Sequence, residues 1–338
     1  MLFSLRYFSR RGLTLITTML IMALMISACG TTETGNGNNN TETVQTATAD
    51  PAQAVETNSV EESKVKTVST INGDIEIPVH PQRIVAEEYL GSLIALDVIP
   101  VGAPGLTIKN YYFKESLEGL EDIGDYGNPS VEKIVALNPD LIITGNGDKS
   151  YEQLSKIAPT IVIPYGDLKN AHEELTYFGE LFGKEEEAKT WLEEYDKRIA
   201  TAKAKVDAAI PAEATFSIME DGGKSIWVYG DNFGRGGQAV YQALGRKPPS
   251  GVAAEILEKQ WAELTAEMVS KYAGDYIIMT SNSRTMDDYK ADPIWGSIPA
   301  VNKGQMYVWP EERSWYYDPL AVLAQTEELA EWLSKKDR

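Results

Sequence analysis

Two stretches of this 338-residue chain, one in each half, follow nearly the same pattern. Residues 130–143 read SVEKIVALNPDLII, and residues 265–278 read TAEMVSKYAGDYII. In each, a hydroxyl residue stands two positions before a glutamate, an aspartate stands eight positions after that glutamate, and a short apolar run follows. A serine or threonine ahead of an acid is a typical helix start, and the apolar run has the length of a buried strand. The repeat predicts two lobes of one α/β architecture.

Residues 1–28 predict an export signal. Three arginines, at positions 6, 10 and 11, precede an apolar run at residues 13–26 that is too short for a comfortable membrane span. Residues 26–29, ISAC, resemble a bacterial lipobox, in which the cysteine receives a diacylglycerol and becomes the mature N-terminus. Cys29, the only cysteine, is therefore predicted to be a lipid anchor. The alternative is an ordinary signal peptide with an incidental cysteine.

Composition separates a tether from the folded part. Residues 29–64 contain no aromatic residue and consist mostly of small and polar residues, so they predict a flexible tether. The globular part is expected as a lobe at 65–183, a helix at 184–209 and a second lobe at 210–338. A formal net charge of −19 argues against a nucleic-acid partner.

Short apolar runs alternate with helical patterns along the globular part. Residues 65–77 predict a hairpin with its turn at Asn72-Gly73. Strands are expected at 83–86, 98–102, 141–144, 160–163, 215–219, 226–229, 276–280 and 306–309. This alternation predicts sheets of mainly parallel strands. The helix at 184–209 is nearly 40 Å long at about 1.5 Å per residue, which is enough to connect two lobes.

The residues that usually carry catalysis are scarce. Only two histidines, His80 and His172, and one cysteine are present, so a transition-metal site of the usual kind is not expected. Neither a phosphate-binding Gly-Lys-Ser/Thr loop nor a Gly-x-Ser-x-Gly elbow occurs. The sequence therefore predicts neither a catalytic site nor a metal site nor a cofactor.

Aromatic residues and arginines concentrate in loops at predicted strand ends, where ligands bind in α/β lobes. The first group surrounds glycines and contains Trp227, Tyr229, Phe233 and Arg235. A helix is expected directly after it, at 238–244. The second group contains Arg313, Trp315 and Tyr316, and Tyr111 is expected to add a wall from the first lobe. Further candidates for these walls are Tyr112, Tyr289 and Trp295. Together these residues predict a pocket for a flat, oxygen-rich ligand.

The lipobox, the tether, the long helix and four short motifs together resemble the iron-siderophore-binding lipoproteins of Gram-positive ABC importers. The motifs are PQRIV at 81–85, VEKI at 131–134, LNPDLI at 137–142 and YGDN at 229–232. The resemblance covers residues 65–335. It implies a class III substrate-binding protein, in which two Rossmann-like lobes are joined by a single long α-helix. It also implies a shallow cleft, limited closure, and a receptor rather than an enzyme.

The resemblance further implies that Glu132 and Glu267, one on each lobe, contact a two-subunit permease driven by a cytoplasmic ATPase. The expected protein is a monomer, lipid-anchored at the outer face of the cytoplasmic membrane of a Gram-positive bacterium. Candidate cations (Lys109, Lys224, Arg235, Arg284 and Arg313) are scattered among aromatic residues, which favours a ferric hydroxamate or mixed hydroxamate-citrate siderophore over a trianionic catecholate. A cobalamin or haem receptor of the same fold and a secreted carbohydrate-active enzyme remain as alternatives.

Overall fold

Two five-stranded sheets, one from each half of the chain, form the frame of the protein. They are seen in a computed structural model that describes residues 64–145 and 150–335. The predicted signal peptide, Cys29 and nearly all of the predicted tether lie outside these residues. The strands are β1 (Val65–Thr70), β2 (Gly73–Pro78), β3 (Ile84–Ala86), β4 (Gly102–Ala103), β5 (Glu121–Asp122), β6 (Gly124–Asp125), β7 (Asn128–Pro129), β8 (Leu141–Thr144), β9 (Thr160–Val162), β10 (Phe216–Asp221), β11 (Ile226–Tyr229), β12 (Trp261–Leu264), β13 (Tyr276–Thr280) and β14 (Met306–Trp309).

Helices connect most of these strands. The α-helices are α1 (Leu90–Ala95), α2 (Gly105–Ile108), α3 (Val131–Leu137), α4 (Tyr151–Leu154), α5 (Ala171–Phe182), α6 (Glu185–Ala209), α7 (Ser250–Lys259), α8 (Val269–Tyr272), α9 (Met286–Ala291), α10 (Pro299–Asn302), α11 (Glu311–Ser314) and α12 (Pro319–Ser334). Short 3-10 helices occur at Lys114–Leu117, Ala266–Met268 and Trp295–Ser297, and a π-helix occurs at Gln238–Ala243. Within the described ranges, no helix is both long and apolar enough to cross a membrane.

The first sheet has the strand order β5-β4-β3-β8-β9, and its paired strands are all parallel. The predicted hairpin is confirmed as β1 and β2, and Ile77 of β2 is buried in the core of this lobe. Its turn lies at residues 71–72 rather than at Asn72-Gly73, because Gly73 already pairs with Thr70. The strand expected at 98–102 is wrong in position, since β4 covers only Gly102–Ala103. The amide of Val98 bonds instead to Leu93 O at the end of α1, and Pro100 has no N–H to donate to a ladder.

The second sheet has the order β12-β11-β10-β13-β14 and is mixed. β10, β13 and β14 are parallel neighbours, whereas β11 pairs antiparallel with both β10 and β12. The expected alternation of strand and helix fails between β10 and β11 because only residues 222–225 separate them. A connection that short permits a hairpin but not the crossover that a parallel pair requires.

The repeated aspartates have the same structural role in both lobes. Asp140 accepts hydrogen bonds from the backbone amides of Gln82 and Arg83, at 2.7 and 2.9 Å. Asp275 accepts from the amide and the hydroxyl of Thr215, both at 2.8 Å. Each carboxylate therefore ties the start of one central strand, β3 or β10, to the strand beside it, β8 or β13. The repeat read from the sequence is thus a repeat in the structure.

The two helix starts in the repeat differ. Ser130 Oγ accepts from the Lys133 amide at 3.3 Å, so the predicted cap of α3 is confirmed. The predicted cap at Thr265 is wrong, because its side chain accepts no backbone hydrogen bond. The Met268 amide donates instead to the Thr265 carbonyl at 2.9 Å, which makes the first turn a 3-10 turn. In the second copy, the helix is consequently limited to the four residues of α8.

Helix α6 runs for 25 residues between the two sheets in the chain, as the sequence predicted. Its apolar side packs with α5 and α12, where Ala171, Tyr195 and Leu323 form a small core. Arg198 of α6 is paired through two nitrogens with Glu327 of α12, at 2.8 and 2.6 Å. Leu320 of α12 packs against the core of the first lobe. The last helix therefore braces the long helix and contacts the first lobe as well.

Candidate ligand-binding cleft

A cavity of about 330 Å³ lies between the lobes. Its walls come from the segment after β3, from α2 and α5, from the loop after β11, and from the segment between α11 and α12. Leu106, Tyr126 and Tyr165 are half exposed at its rim, so the cavity opens to solvent. The lining residues are Glu88, Tyr89, Leu90, Gly91, Leu106, Thr107, Asn110, Phe113, Tyr126, Tyr165, Glu174, Phe233, Arg235, Trp315, Tyr316, Tyr317 and Asp318.

Arg235 is the one cation among the described residues that line the cavity. Its guanidinium carbon lies 4.7 Å from the ring centre of Tyr229 and 4.5 Å from that of Trp315, which is within cation–π range of both rings. Nε donates to Glu220 Oε2 at 2.9 Å, and the Tyr229 hydroxyl donates to the same oxygen at 2.5 Å. We call Glu220, Tyr229, Arg235 and Trp315 the arginine cluster.

The arginine cluster leaves part of the guanidinium free for a ligand. Nη1 donates to the Phe233 carbonyl at 3.3 Å, while Nη2 has no hydrogen-bond partner among the described residues. The side chain of Arg235 is 13% exposed and that of Glu220 is 14% exposed, so solvent screens this ion pair little. Nη2 is therefore available to donate to a ligand oxygen from a fixed plane.

The backbone around Arg235 is unusual. Gly234, Arg235 and Gly236 have φ values of 73°, 57° and 91°, which lie in the left-handed region. A Cβ at Gly234 would lie 2.3 Å from the Trp315 carbonyl oxygen, so glycine is required there. For Arg235 this conformation costs about 1–2 kcal/mol, and strain of this kind concentrates at functional sites.

The helix expected at 238–244 is a π-helix at Gln238–Ala243. The amide of Leu244 bonds to the carbonyl of Ala239, five residues earlier, at 2.9 Å. At its first turn, the Gln238 side chain accepts from the Gly234 amide at 3.2 Å and donates to the Asn232 side chain at 3.1 Å. This helix therefore fixes the loop that carries Arg235, and π-helices are frequent at functional sites.

Three acids also line the cavity: Glu88, Glu174 and Asp318. We call them the carboxyl cluster. Glu174 is only 3% exposed, and its Oε2 accepts from Ser92 Oγ at 2.5 Å. Asp318 accepts from the Ala321 amide at 3.0 Å and from Asn110 Nδ2 at 3.2 Å. Glu88 accepts from the hydroxyl of Tyr126.

Burial raises the pKa of every member of the carboxyl cluster. The pKa of Glu174 rises to about 8, that of Glu88 to about 7, and that of Asp318 to about 6. The negative charges of Asp318 and Glu88 add to the effect of burial at Glu174. Because desolvation opposes ionisation, a cation entering the cavity would stabilise the ionised forms.

Tyrosines close the space between the two clusters. The hydroxyl of Tyr165, in the first lobe, donates to the Asn232 carbonyl in the second lobe. The Tyr165 ring lies edge-on to Phe233 at 5.5 Å and to Tyr317 at 6.0 Å between ring centres. Aromatic side chains from both lobes therefore meet above the cavity.

The structure brings together half of the residues predicted to bind ligand. Phe233, Arg235, Trp315 and Tyr316 line the cavity, and these four came from both predicted groups. Tyr229 stands behind them, stacked on Phe233 at 5.7 Å between ring centres and bonded to Glu220. Its role would therefore be to position Arg235 rather than to touch a ligand.

The other three predicted residues lie outside the cavity lining. Trp227 packs against the core of the second lobe. Tyr111 is 42% exposed, and the guanidinium of Arg313 lies 5.1 Å from its ring centre. Arg313 also forms an ion pair with Glu328. The Arg313 carbonyl accepts a hydrogen bond from the Tyr112 hydroxyl at 2.7 Å, so Tyr112 and Arg313 connect the two lobes.

Tyr289 and Trp295, also considered for the second wall, are core residues instead. They are 0% and 4% exposed and contact each other in the second lobe. Arg284 packs on Tyr289 at 4.2 Å and pairs with Asp221 and Asp292. Hydrophobic burial explains these aromatic residues, and sequence spacing alone did not distinguish them from pocket residues.

Glu132 and Glu267 are exposed and lie at two separate surface depressions. Glu132 accepts from the Ser130 hydroxyl at 3.2 Å. Hydrogen bonds from its own backbone amide and from the Thr265 hydroxyl hold the pKa of Glu267 below its usual range. The two acids belong to different lobes and share no cavity, so they do not form the close carboxylate pair of a glycosidase.

No group of three or more His, Cys, Asp and Glu residues that could hold a metal ion occurs in the described ranges. His172 instead contacts Asp196 at 2.8 Å on the surface. The cavity combines aromatic faces, one held guanidinium and buried carboxyl groups. This arrangement can bind and orient a ligand of moderate size through stacking, hydrogen bonds and charge.

Sequence reasoning missed the carboxyl cluster and two rim tyrosines, Tyr126 and Tyr165. Two signals could have found some of them. Glu88 and Tyr165 closely follow β3 and β9, at the strand ends where α/β proteins bind ligands. Glu174 occupies an apolar position of α5, between the buried residues Ala171 and Phe178, and an acid there needs an explanation.

Comparison with known proteins identifies the family. The sequence profile of the periplasmic binding proteins matches residues 84–313. The chain belongs to the periplasmic binding protein family. The iron(3+)-hydroxamate-binding protein YxeB of Bacillus subtilis is 32% identical over 335 residues, which span 97% of this chain and 98% of YxeB.

Solved structures confirm the predicted class III fold of this periplasmic binding protein. A Bacillus subtilis protein of the FhuD fold family, described as a component of a ferrichrome ABC transporter, matches with a TM-score of 0.71 and 35% identity. The match covers 79% of this chain and 100% of that one. FhuD2 from Staphylococcus aureus with bound ferrioxamine B matches with a TM-score of 0.69 and 30% identity, covering 76% and 100%.

Proposed function

We propose that this protein is an extracytoplasmic receptor that binds a ferric hydroxamate siderophore in the cleft and delivers it to an ABC permease for iron import. The observation that carries the proposal is the cavity between the lobes, where Phe233 and Trp315 pack on a guanidinium with a free N–H group. Aromatic faces suit the carbon backbone of such a chelate, and the guanidinium suits its iron-bound oxygens. Relatives named for hydroxamate binding support this choice.

In this proposal the iron is cargo and arrives fully chelated. The siderophore supplies the oxygen ligands of Fe³⁺, so the protein needs neither a metal-ligand cluster nor a cofactor. Recognition acts on the outer surface of the chelate, where stacking and charge decide the affinity. A binding role rather than catalysis fits the chemistry of the cavity.

Delivery would use the two exposed glutamates. Glu132 stands at the start of α3, and Glu267 stands in the 3-10 turn before α8, at corresponding positions of the repeat. Two equivalent acids would contact arginines on two equivalent permease subunits, which a cytoplasmic ATPase drives. The receptor would act as a monomer, held by a lipid on Cys29 at the outer face of a Gram-positive cytoplasmic membrane.

Tryptophan fluorescence of the purified protein tests the ligand class. Trp315 lines the cavity, and a bound ferric chelate should quench its emission. We expect saturable quenching by a ferric hydroxamate below micromolar concentration, and none by a ferric catecholate, haem or cobalamin. Trp315→Phe should weaken binding about tenfold through lost stacking, while Trp261→Phe, on the exposed strand β12, should not.

Each other outcome has a definite meaning. Quenching by haem or cobalamin alone would select that alternative receptor. Quenching by none of the four compounds would contradict the proposed siderophore receptor. Equal weakening by Trp315→Phe and Trp261→Phe would show that the ligand does not bind at this cavity.

A further inference from the structure

The charges in the cleft do not balance. Arg235 is neutralised by Glu220, with which it shares a hydrogen bond of 2.9 Å, and no other lysine or arginine is among the described lining residues. The three acids of the carboxyl cluster have no cationic partner. Acidic side chains therefore outnumber basic ones in the cleft, and aromatic side chains line it as well.

Glu174 is the most informative of the three acids. The residue is only 3% exposed, and only one of its two carboxyl oxygens has a hydrogen-bond partner among the described residues. Oε1 is unpartnered although the side chain lines the cavity. A ligand that donates a hydrogen bond to this oxygen would therefore gain affinity.

The other two acids have structural partners, which limits what they can contribute. Asp318 caps α12 through the Ala321 amide and also accepts from Asn110. Glu88 accepts from Tyr126 at the rim. Both nevertheless add negative potential, because neither partner carries a positive charge. The rings of Tyr126, Tyr317 and Trp315 favour a cation for the same electrostatic reason.

We propose that the carboxyl cluster selects ferric hydroxamates that carry a positively charged amine, with the ammonium group bound between Glu174 and Asp318. This inference rests on the proposed siderophore function and narrows its ligand class. A siderophore with a free carboxylate, such as a mixed hydroxamate-citrate, is disfavoured because its negative charge would meet uncompensated acids. The ammonium of an alkyl amine has a pKa near 10 and stays charged at neutral pH.

Three compounds with one iron centre test the inference. Ferrioxamine B is a linear ferric trihydroxamate with a terminal primary amine; its N-acetyl derivative is neutral there, and its N-succinyl derivative is anionic. Their dissociation constants are measured with the purified full-length protein in detergent. We expect ferrioxamine B to bind at least tenfold more tightly than the N-acetyl compound, and the N-succinyl compound to bind most weakly.

Variants of the carboxyl cluster test which residues cause the preference for the charged amine. Glu174→Gln keeps the shape and the bond to Ser92 but removes the charge, and Asp318→Asn preserves an N-cap. The double variant should bind ferrioxamine B and its N-acetyl derivative within about threefold of each other. Glu180→Gln, the same change at an exposed position of α5, should keep the full preference.

The ligand series separates the two proposals even if a variant does not fold. Equal affinity of the parent protein for all three compounds would overturn the charge inference and leave the siderophore receptor standing. Binding of none of them would overturn both. A preference that persists in a folded double variant would overturn the assignment to Glu174 and Asp318.

Discussion

The two lobes share a frame but present different chemistry to the cleft. Asp140 and Asp275 tie the central strands in the same way, at positions that match in the repeat. The arginine cluster, by contrast, belongs to the second half of the chain, while two of the three acids of the carboxyl cluster, Glu88 and Glu174, belong to the first. The frame therefore preserves the fold, and the loops and helix faces added to it decide what binds.

A second comparison lies within the second lobe. Two neighbouring acids of β10, Glu220 and Asp221, each pair with an arginine that packs on a tyrosine. The Glu220 side includes Arg235 and lines the cleft, whereas the Asp221 side includes Arg284 and adjoins the depression with Glu267. Similar contacts thus have different surroundings, and position in the fold rather than residue type indicates the ligand site.

The largest expected effect concerns docking, where the lobes should be equivalent. Glu132→Arg together with Glu267→Arg should reduce iron uptake to the level of cells without the protein, because the introduced arginines would repel the arginines of the permease. Glu132→Arg and Glu267→Arg, each tested singly, should reduce uptake by similar amounts. Uptake of the ferric siderophore by cells and its affinity for the purified variants are both measured.

Siderophore affinity should be unchanged in all three docking variants, since neither acid lines the cleft. Loss of affinity would place these acids in the binding site and refute their docking role. If Glu132→Arg reduced uptake and Glu267→Arg did not, the two lobes would share a fold without having equivalent roles in docking.

The two arginines of the second lobe should differ in their effect on binding. Arg235→Lys replaces a planar group held between two rings with a flexible ammonium, and we expect siderophore affinity to fall about 30- to 100-fold. Arg284→Lys makes the same change on the other side of β10 and should alter affinity less than twofold. Isothermal titration of both variants checks the difference, and equal losses would contradict the assignment of the cleft.

The two aspartates should behave alike. Asp140→Ala and Asp275→Ala each remove a charged acceptor of two hydrogen bonds, so each should lower the free energy of unfolding by about 1–2 kcal/mol. Asp287→Ala, at an exposed position without a hydrogen bond among the described residues, should cost less than about 0.5 kcal/mol. Urea unfolding of the three variants is compared, and a cost at only one aspartate would break the structural repeat.

The smallest effect is a difference in pH dependence. Burial raises the pKa of Glu174 to about 8, whereas a glutamate in an unfolded chain ionises near pH 4.3. Between these values the native state binds more protons than the unfolded state, so stability falls as the pH rises. From pH 5 to pH 6 the parent should lose about 1 kcal/mol more than Glu174→Gln.

Thermal unfolding of the parent and of Glu174→Gln at both pH values measures this difference. Glu180→Gln should follow the parent, since Glu180 is exposed. Parallel curves for the parent and Glu174→Gln would show that burial does not raise the pKa of Glu174 in the folded protein.

The residue pattern within short stretches of sequence predicts most of the strands and helices. It does not predict many of the residues that line the cleft. The hairpin and the long helix follow from hydrophobic periodicity and turn residues within short windows. Arg235 and Trp315 could be selected because glycines and aromatic residues mark loops. Glu174 and Asp318 meet only through tertiary packing, at positions 144 residues apart, so neither local sequence predicts the other.

The same limit explains the errors. Thr265 resembles Ser130 in sequence, yet a 3-10 turn uses the amide that its hydroxyl was expected to bind. Trp295 resembles Trp315 as an aromatic residue in a loop, yet it is buried in the core. Which side of a sheet a loop covers is decided by topology, which residue spacing does not encode.

We expect the iron of a bound ferric hydroxamate to lie between the arginine cluster and the carboxyl cluster. Crystals of the protein with ferrioxamine B, measured on both sides of the iron absorption edge, locate the metal directly. We predict one anomalous peak inside the cavity, flanked by Arg235 and Trp315 of the second lobe and by Tyr126 of the first. A peak beside Arg284 and Glu267, or elsewhere on the surface with this cavity empty, would contradict the account.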